Sequence, residues 1–107
     1  MNQDDAIAAL SALSQDTRLS VFRMLVRAGP DGCAAGAIAD ALGVRQNTLS
    51  THLGILLSGG LARRRRDGRT IYYSADFDGM RALLTYLLED CCGGDRSICE
   101  PLLEFVC

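Results

Sequence analysis

A mainly helical domain carrying one small β-hairpin is the fold predicted by this 107-residue sequence. Three observations predict it: apolar residues recur at helical spacing in five stretches, two of those stretches are joined by a tight glycine turn, and an Asp-Gly pair sits between two strand-like runs. With 49% hydrophobic and 22% charged residues and only two prolines, the composition fits a globular chain and excludes a disordered or collagen-like one. The length suits a single domain, 1–107, and a core that needs no disulfide staples. Apolar runs stop well short of the roughly 18 residues of a membrane span. The start Met1-Asn2-Gln3-Asp4-Asp5 lacks the basic and apolar regions of a signal peptide. A soluble, cytoplasmic protein without membrane contact is expected.

Ala6, Ile7, Leu10 and Leu13 predict a first helix over about 3–13. Asp16 reads as the N-cap of a second, with Leu19, Phe22, Leu25 and Val26 on one face; Ala28-Gly29-Pro30-Asp31-Gly32 ends it. A short helix over about 34–42 follows, closed by Gly43. The next runs over about 45–58, with Leu49, Leu53, Leu56 and Leu57 inward and Gly59-Gly60 behind it. Two such helices around a tight turn form a helix-turn-helix. Leu61–Arg66 and Arg69–Ser74 then flank Asp67-Gly68, a two-residue hairpin turn that makes an arginine-rich wing. Phe77, Met80, Leu83, Leu84, Leu87 and Leu88 predict a last helix over about 76–90. The fold class is therefore a winged helix-turn-helix.

Net charge is −2, which by itself argues against a nucleic-acid partner, but its distribution reverses that argument. From Arg45 to Tyr73 six arginines face one acid, whereas Glu89 to Cys107 holds five acids, one arginine and four of the five cysteines. In a helix-turn-helix the second helix enters the major groove with its N-terminal residues against base edges. Gln46 and Asn47 carry amides able to read adenine, Arg45 reaches guanine or phosphate, and Thr48, Ser50 and Thr51 hold phosphates or bases. His52 either touches a phosphate or packs half-buried. Strand alternation sends part of the wing's arginines to solvent; Arg64, Arg66 and Arg69 are the expected phosphate contacts.

Cys91, Cys92 and Cys99 lie within nine residues, and Cys107 ends the sequence. Adjacent cysteines on an intact helix point about 100° apart, so shared chelation requires the helix end to open, and Gly93-Gly94 supplies that freedom. Soft thiolates select As(III), Sb(III), Cd(II), Zn(II) or Cu(I); three without a nitrogen partner suit trigonal-pyramidal As(III). Cys33 reads as a small buried residue.

The order of elements resembles the ArsR/SmtB family of winged-helix metalloregulators over nearly the whole chain. Leu10–Leu19 is similar to that family's leader into the second helix, Thr48–Leu56 to its recognition helix, and Gly59-Gly60-Leu61 with Gly68–Tyr73 to its wing. The resemblance implies a homodimer, joined through the first and last helices, that binds two-fold symmetric double-stranded operator DNA and leaves it when a metal or metalloid binds. Of the family's sensing sites, the Cys-x-Cys pair of one arsenic-sensing type has only Cys33 here, and Asp76 and Asp78 lack the histidine partners of the zinc-sensing type. An adjacent pair at the end of the last helix plus a third cysteine is the match, filled by Cys91, Cys92 and Cys99. The gap to the third is slightly longer than in that subtype, which leaves Cys107 as a substitute or fourth thiolate.

The expectation is thus a repressor with no enzymatic activity, induced by As(III) or Sb(III) through a cysteine-rich tail at about 89–107. In the dimer, Ile7, Leu10, Met80, Leu84 and Leu87 pack across the two-fold axis. The alternatives are the same fold sensing Cd(II), Zn(II), an organoarsenical or thiol oxidation, and, from another class, a small thiol oxidoreductase or metal carrier. The last lacks a Cys-x-x-Cys spacing and requires no arginine wing.

Overall fold

The computed structural model describes residues 1–89 together with Ser97 and Glu100. Among them the elements run α1 (Gln3–Leu13), α2 (Asp16–Ala28), β1 (Cys33–Ala34), α3 (Ala35–Leu42), α4 (Gln46–Ser58), β2 (Ala62–Asp67), β3 (Thr70–Ala75) and α5 (Phe77–Leu88). The strands form one antiparallel sheet in the order β1-β3-β2. This is the predicted winged helix-turn-helix.

Local chemistry sets the helix starts. Asn2 and Asp5 close a capping box on α1, with the Asp5 amide donating to Asn2 Oδ1 at 2.8 Å. Asp76 caps α5 by accepting the Gly79 amide at 2.9 Å. The expected cap of α2 moves by one residue: Gln15 Oε1 accepts the Arg18 amide at 2.8 Å, and Asp16 becomes the first helical residue, where its carboxylate still faces the positive end of the helix dipole. Helix α3 starts at Ala35 because Cys33 and Ala34 are drawn into the sheet against Tyr73 and Tyr72. The β1 strand was not expected, since two residues carry no readable alternation. Helix α5 ends at Leu88 with Glu89 as its C-cap, short of the expected 90.

The hairpin turn also shifts by one. Asp67 pairs with Thr70, so the two loop residues are Gly68 and Arg69, with Gly68 at φ 63°. Placing glycine first puts the residue without a Cβ where the backbone turns left-handed.

Leu25, Ile38, Leu49, Leu53, Leu56, Leu61 and Val21 are sealed in the core. Helix α1 reaches the core through its small residues. Its buried residues are Ala6, Ala9 and Ala12, whereas Ile7 and Leu10 are 54% and 43% exposed. The reason is closeness: Gly59, after α4, sits so near α1 that a Cβ there would lie 3.0 Å from Ala12 Cβ, and only small side chains fit between the two. Gly79 plays a similar part for α5, because a side chain there would collide with the Gly60 carbonyl oxygen. Cys33, expected to be buried, is half-buried in β1.

Candidate nucleic-acid interface

Helices α3 and α4 are joined through Gly43, which is left-handed at φ 63°. The Val44 amide donates back to the Ala39 carbonyl at 3.0 Å, closing α3 before the chain turns. Leu49, Leu53 and Leu56 anchor one face of α4 in the core. With a period of 3.6 residues, that anchoring turns the remaining side chains outward. Arg45, Gln46, Asn47, Thr48, Ser50 and Thr51 are all exposed. The N-cap Arg45 makes no side-chain cap hydrogen bond and the first turn holds no acid, so the positive end of the helix dipole is not neutralised by its own chain. Asn47 Oδ1 accepts the Thr48 amide at 2.9 Å, and Thr51 donates its hydroxyl to the Asn47 carbonyl at 3.3 Å.

His52 stands apart from this row. It is half-buried, and its Nδ1 lies 3.3 Å from Arg18 Nη1. Sequence reasoning offered no sign of this contact, which joins residues 34 positions apart.

The wing sorts its arginines by strand face. Arg63 and Arg65 stand opposite Ser74 and Tyr72, while Arg64 and Arg66 stand opposite Tyr73 and Ile71. Arg63 Nη2 lies 2.8 Å from Asp78 Oδ2 and 3.3 Å from Asp76 Oδ1. These carboxylates raise the guanidinium pKa above its ordinary value, Asp76 contributing most. Asp76 is the less exposed of the two acids, so its field is less screened by water. Arg65 donates to the Asp31 carbonyl at 3.2 Å and lies 4.6 Å from the centre of the Tyr72 ring, a cation–π distance. Among the described residues, Arg64, Arg66 and Arg69 are exposed and have no side-chain hydrogen bond or ion pair. One face of the wing is therefore tied to its own chain, while Arg64 and Arg66 on the other face and Arg69 in the turn are left unneutralised among the described residues. Sequence reasoning expected alternation to divide the arginines but sent the second set to solvent; instead Arg63 and Arg65 are held by acids and a carbonyl from α5, its cap and the loop after α2, which alternation alone does not reveal.

The Cys91, Cys92, Cys99 and Cys107 site, and the tail that carries it, lie outside the described residues. Among the described residues no group of three or more His, Cys, Asp or Glu side chains is arranged to hold a metal ion, and no helix is long and apolar enough to cross a membrane.

A recognition helix with an open polar face, followed by a basic hairpin, defines a winged helix-turn-helix DNA-binding domain. Residues 13–65 match the family model described as a helix-turn-helix domain. The chain is 38% identical over 107 residues to the nodulation protein NolR of Rhizobium meliloti, covering 96% of this chain and 84% of that one. It is 31% identical over 83 residues to a cadmium resistance transcriptional regulatory protein CadC homolog of Staphylococcus aureus, covering 78% of this chain and 67% of that one. A solved homodimeric winged helix-turn-helix DNA-binding domain from Mycobacterium bovis, a possible ArsR-family transcriptional regulator, is similar at a TM-score of 0.66 and 32% identity over 81% of each chain. The chain belongs to the ArsR/SmtB family of transcriptional regulators.

Proposed function

We propose that this chain is a homodimeric repressor that binds two-fold symmetric operator DNA and releases it when As(III) or Sb(III) binds Cys91, Cys92 and Cys99, with Cys107 available as a further thiolate. The observation that carries the DNA half is the division of the wing: Arg64, Arg66 and Arg69 are free for phosphate while Arg63 and Arg65 are held. Arg45, Gln46, Asn47, Thr48, Ser50 and Thr51 read the major groove, and His52 meets the backbone beside them.

The dimer is supported by what α1 and α5 leave uncovered. Ile7, Leu10, Leu84 and Leu87 are 54%, 43%, 36% and 49% exposed, and large apolar residues on two helices call for a partner. Pairing α1 and α5 across a two-fold axis sets two recognition helices about one DNA turn, roughly 34 Å, apart.

The inducer half rests on donor chemistry. Three soft thiolates within nine residues suit a thiophilic ion, and without nitrogen donors they suit the pyramidal geometry of As(III). Binding that favours the DNA-free arrangement by about 1–3 kcal/mol is enough to act as a switch. Cd(II) at the same thiolates is the second reading, favoured by the likeness to the CadC homolog.

Fluorescence anisotropy of the reduced protein on DNA from its own upstream region tests both halves. Binding reversed by arsenite is expected, with Cys92→Ser abolishing the reversal. No binding refutes the DNA reading; release by Cd(II) but not arsenite selects the second; release by peroxide without any ion points to thiol oxidation.

A further inference from the structure

We infer that Arg18 is a positioning residue that fixes the tautomer and orientation of His52, so that the ring presents Nε2–H to a phosphodiester oxygen of duplex DNA. The inference rests on the DNA-binding reading above and deepens it.

Arg18 sits in the first turn of α2 and is half-buried. Its Nε donates to the Ala12 carbonyl in the last turn of α1 at 2.7 Å, which orients the guanidinium. Its Nη1 then lies 3.3 Å from His52 Nδ1. A guanidinium has donors and no acceptor, so Nδ1 must accept and carries no proton. The proton of the neutral ring is thereby on Nε2. This is the way a partner on one ring nitrogen fixes the role of the other.

That second nitrogen is available. Every solvent-sealed side-chain nitrogen and oxygen in the described part of the chain has a hydrogen-bond partner. Among the described residues His52 Nε2 has no hydrogen-bond partner, so it is not one of the sealed atoms. His52 lies one helical turn beyond Thr48 and beside Thr51, at the edge of the exposed row of α4. A donor at that edge meets the sugar-phosphate backbone rather than base edges. The chain Ala12–Arg18–His52 also ties α1, whose outer face carries Ile7 and Leu10, to the middle of the recognition helix.

His52 is the sole histidine of the sequence, so its ring gives one assignable set of nitrogen signals. Long-range ¹H–¹⁵N NMR on the reduced full-length wild-type chain is expected to show the Nε2–H tautomer, with the Nε2 signal moving when operator duplex is added. Arg18→Lys keeps the charge but loses the fork, and is expected to mix the tautomers. In a double-mutant cycle read by anisotropy, His52→Ala and Arg18→Ala should each weaken DNA binding roughly tenfold, and together little more than either alone. Because the donor is neutral, His52→Ala leaves the salt dependence unchanged, unlike loss of a wing arginine.

An Nδ1–H tautomer in a chain that binds DNA overturns the Arg18 assignment alone. Independent, additive losses in the cycle overturn it too. A wild-type chain with the Nε2–H tautomer that binds no duplex overturns the phosphate contact together with the DNA reading. The tautomer measurement and His52→Ala do not depend on whether Arg18→Ala folds.

Discussion

Helices α1 and α4 are both amphipathic, but they are built in opposite senses. Helix α4 puts Leu49, Leu53 and Leu56 inside and polar residues outside; α1 puts Ala6, Ala9 and Ala12 inside and Ile7 and Leu10 outside. Burial stabilises in proportion to apolar area, about 0.8 kcal/mol per methylene, so α4 is held by its own chain while much of the apolar area of α1 is unused. The difference teaches how the work is divided: α4 needs no partner to hold its polar face outward, and α1 keeps an apolar face that the proposed dimer would cover.

The comparison breaks most sharply at the α4 core. Leu53 is 1% exposed, and Leu53→Ala is expected to cost about 2–5 kcal/mol of stability, measured by urea denaturation, because the closely packed site leaves a cavity. On α1 the matching test is Leu10→Asp. It should leave the fold of each chain intact by circular dichroism but weaken the dimer by about 1.5–3 kcal/mol or more, read by sedimentation, since a side chain buried only in the dimer is lost. A fully dimeric Leu10→Asp protein would remove α1 from the interface.

A smaller effect is expected at the turn that aims α4. Gly43 is left-handed, and the space that a Cβ would enter there is open, so Gly43→Ala should cost about 1–2 kcal/mol through backbone conformation alone. The wing supplies the finest test. Replacing Arg64 or Arg66 by alanine should flatten the salt dependence of DNA binding by about 0.9 per lost phosphate contact, whereas Arg63→Ala should leave the slope nearly unchanged. Equal slopes for Arg63→Ala and Arg64→Ala would mean that the ion pairs with Asp76 and Asp78 open on DNA.

Much of the interface was legible in the sequence because it is local. Leucines at helical spacing oriented α4, and glycines at 43, 59 and 60 marked its limits. Asp67-Gly68 announced the hairpin, although the pairing chose Gly68-Arg69 as its loop. The alanine face that α1 turns inward leaves no such local mark; Gly59, more than forty residues on, leaves room there only for small side chains. The links from Arg18 to His52 and from Arg63 to Asp76 and Asp78 likewise leave no local pattern.

The sequence by itself determined the class of fold, the position of the recognition helix and the concentration of arginine in the wing, because periodicity, caps and turn residues act over a few positions. Only the tertiary structure decided which arginines are spent within the chain, why α1 turns its alanines inward and how His52 is held. Those outcomes depend on distances between elements far apart in sequence, and distance, not residue type, settles whether a donor finds its acceptor or a side chain finds room.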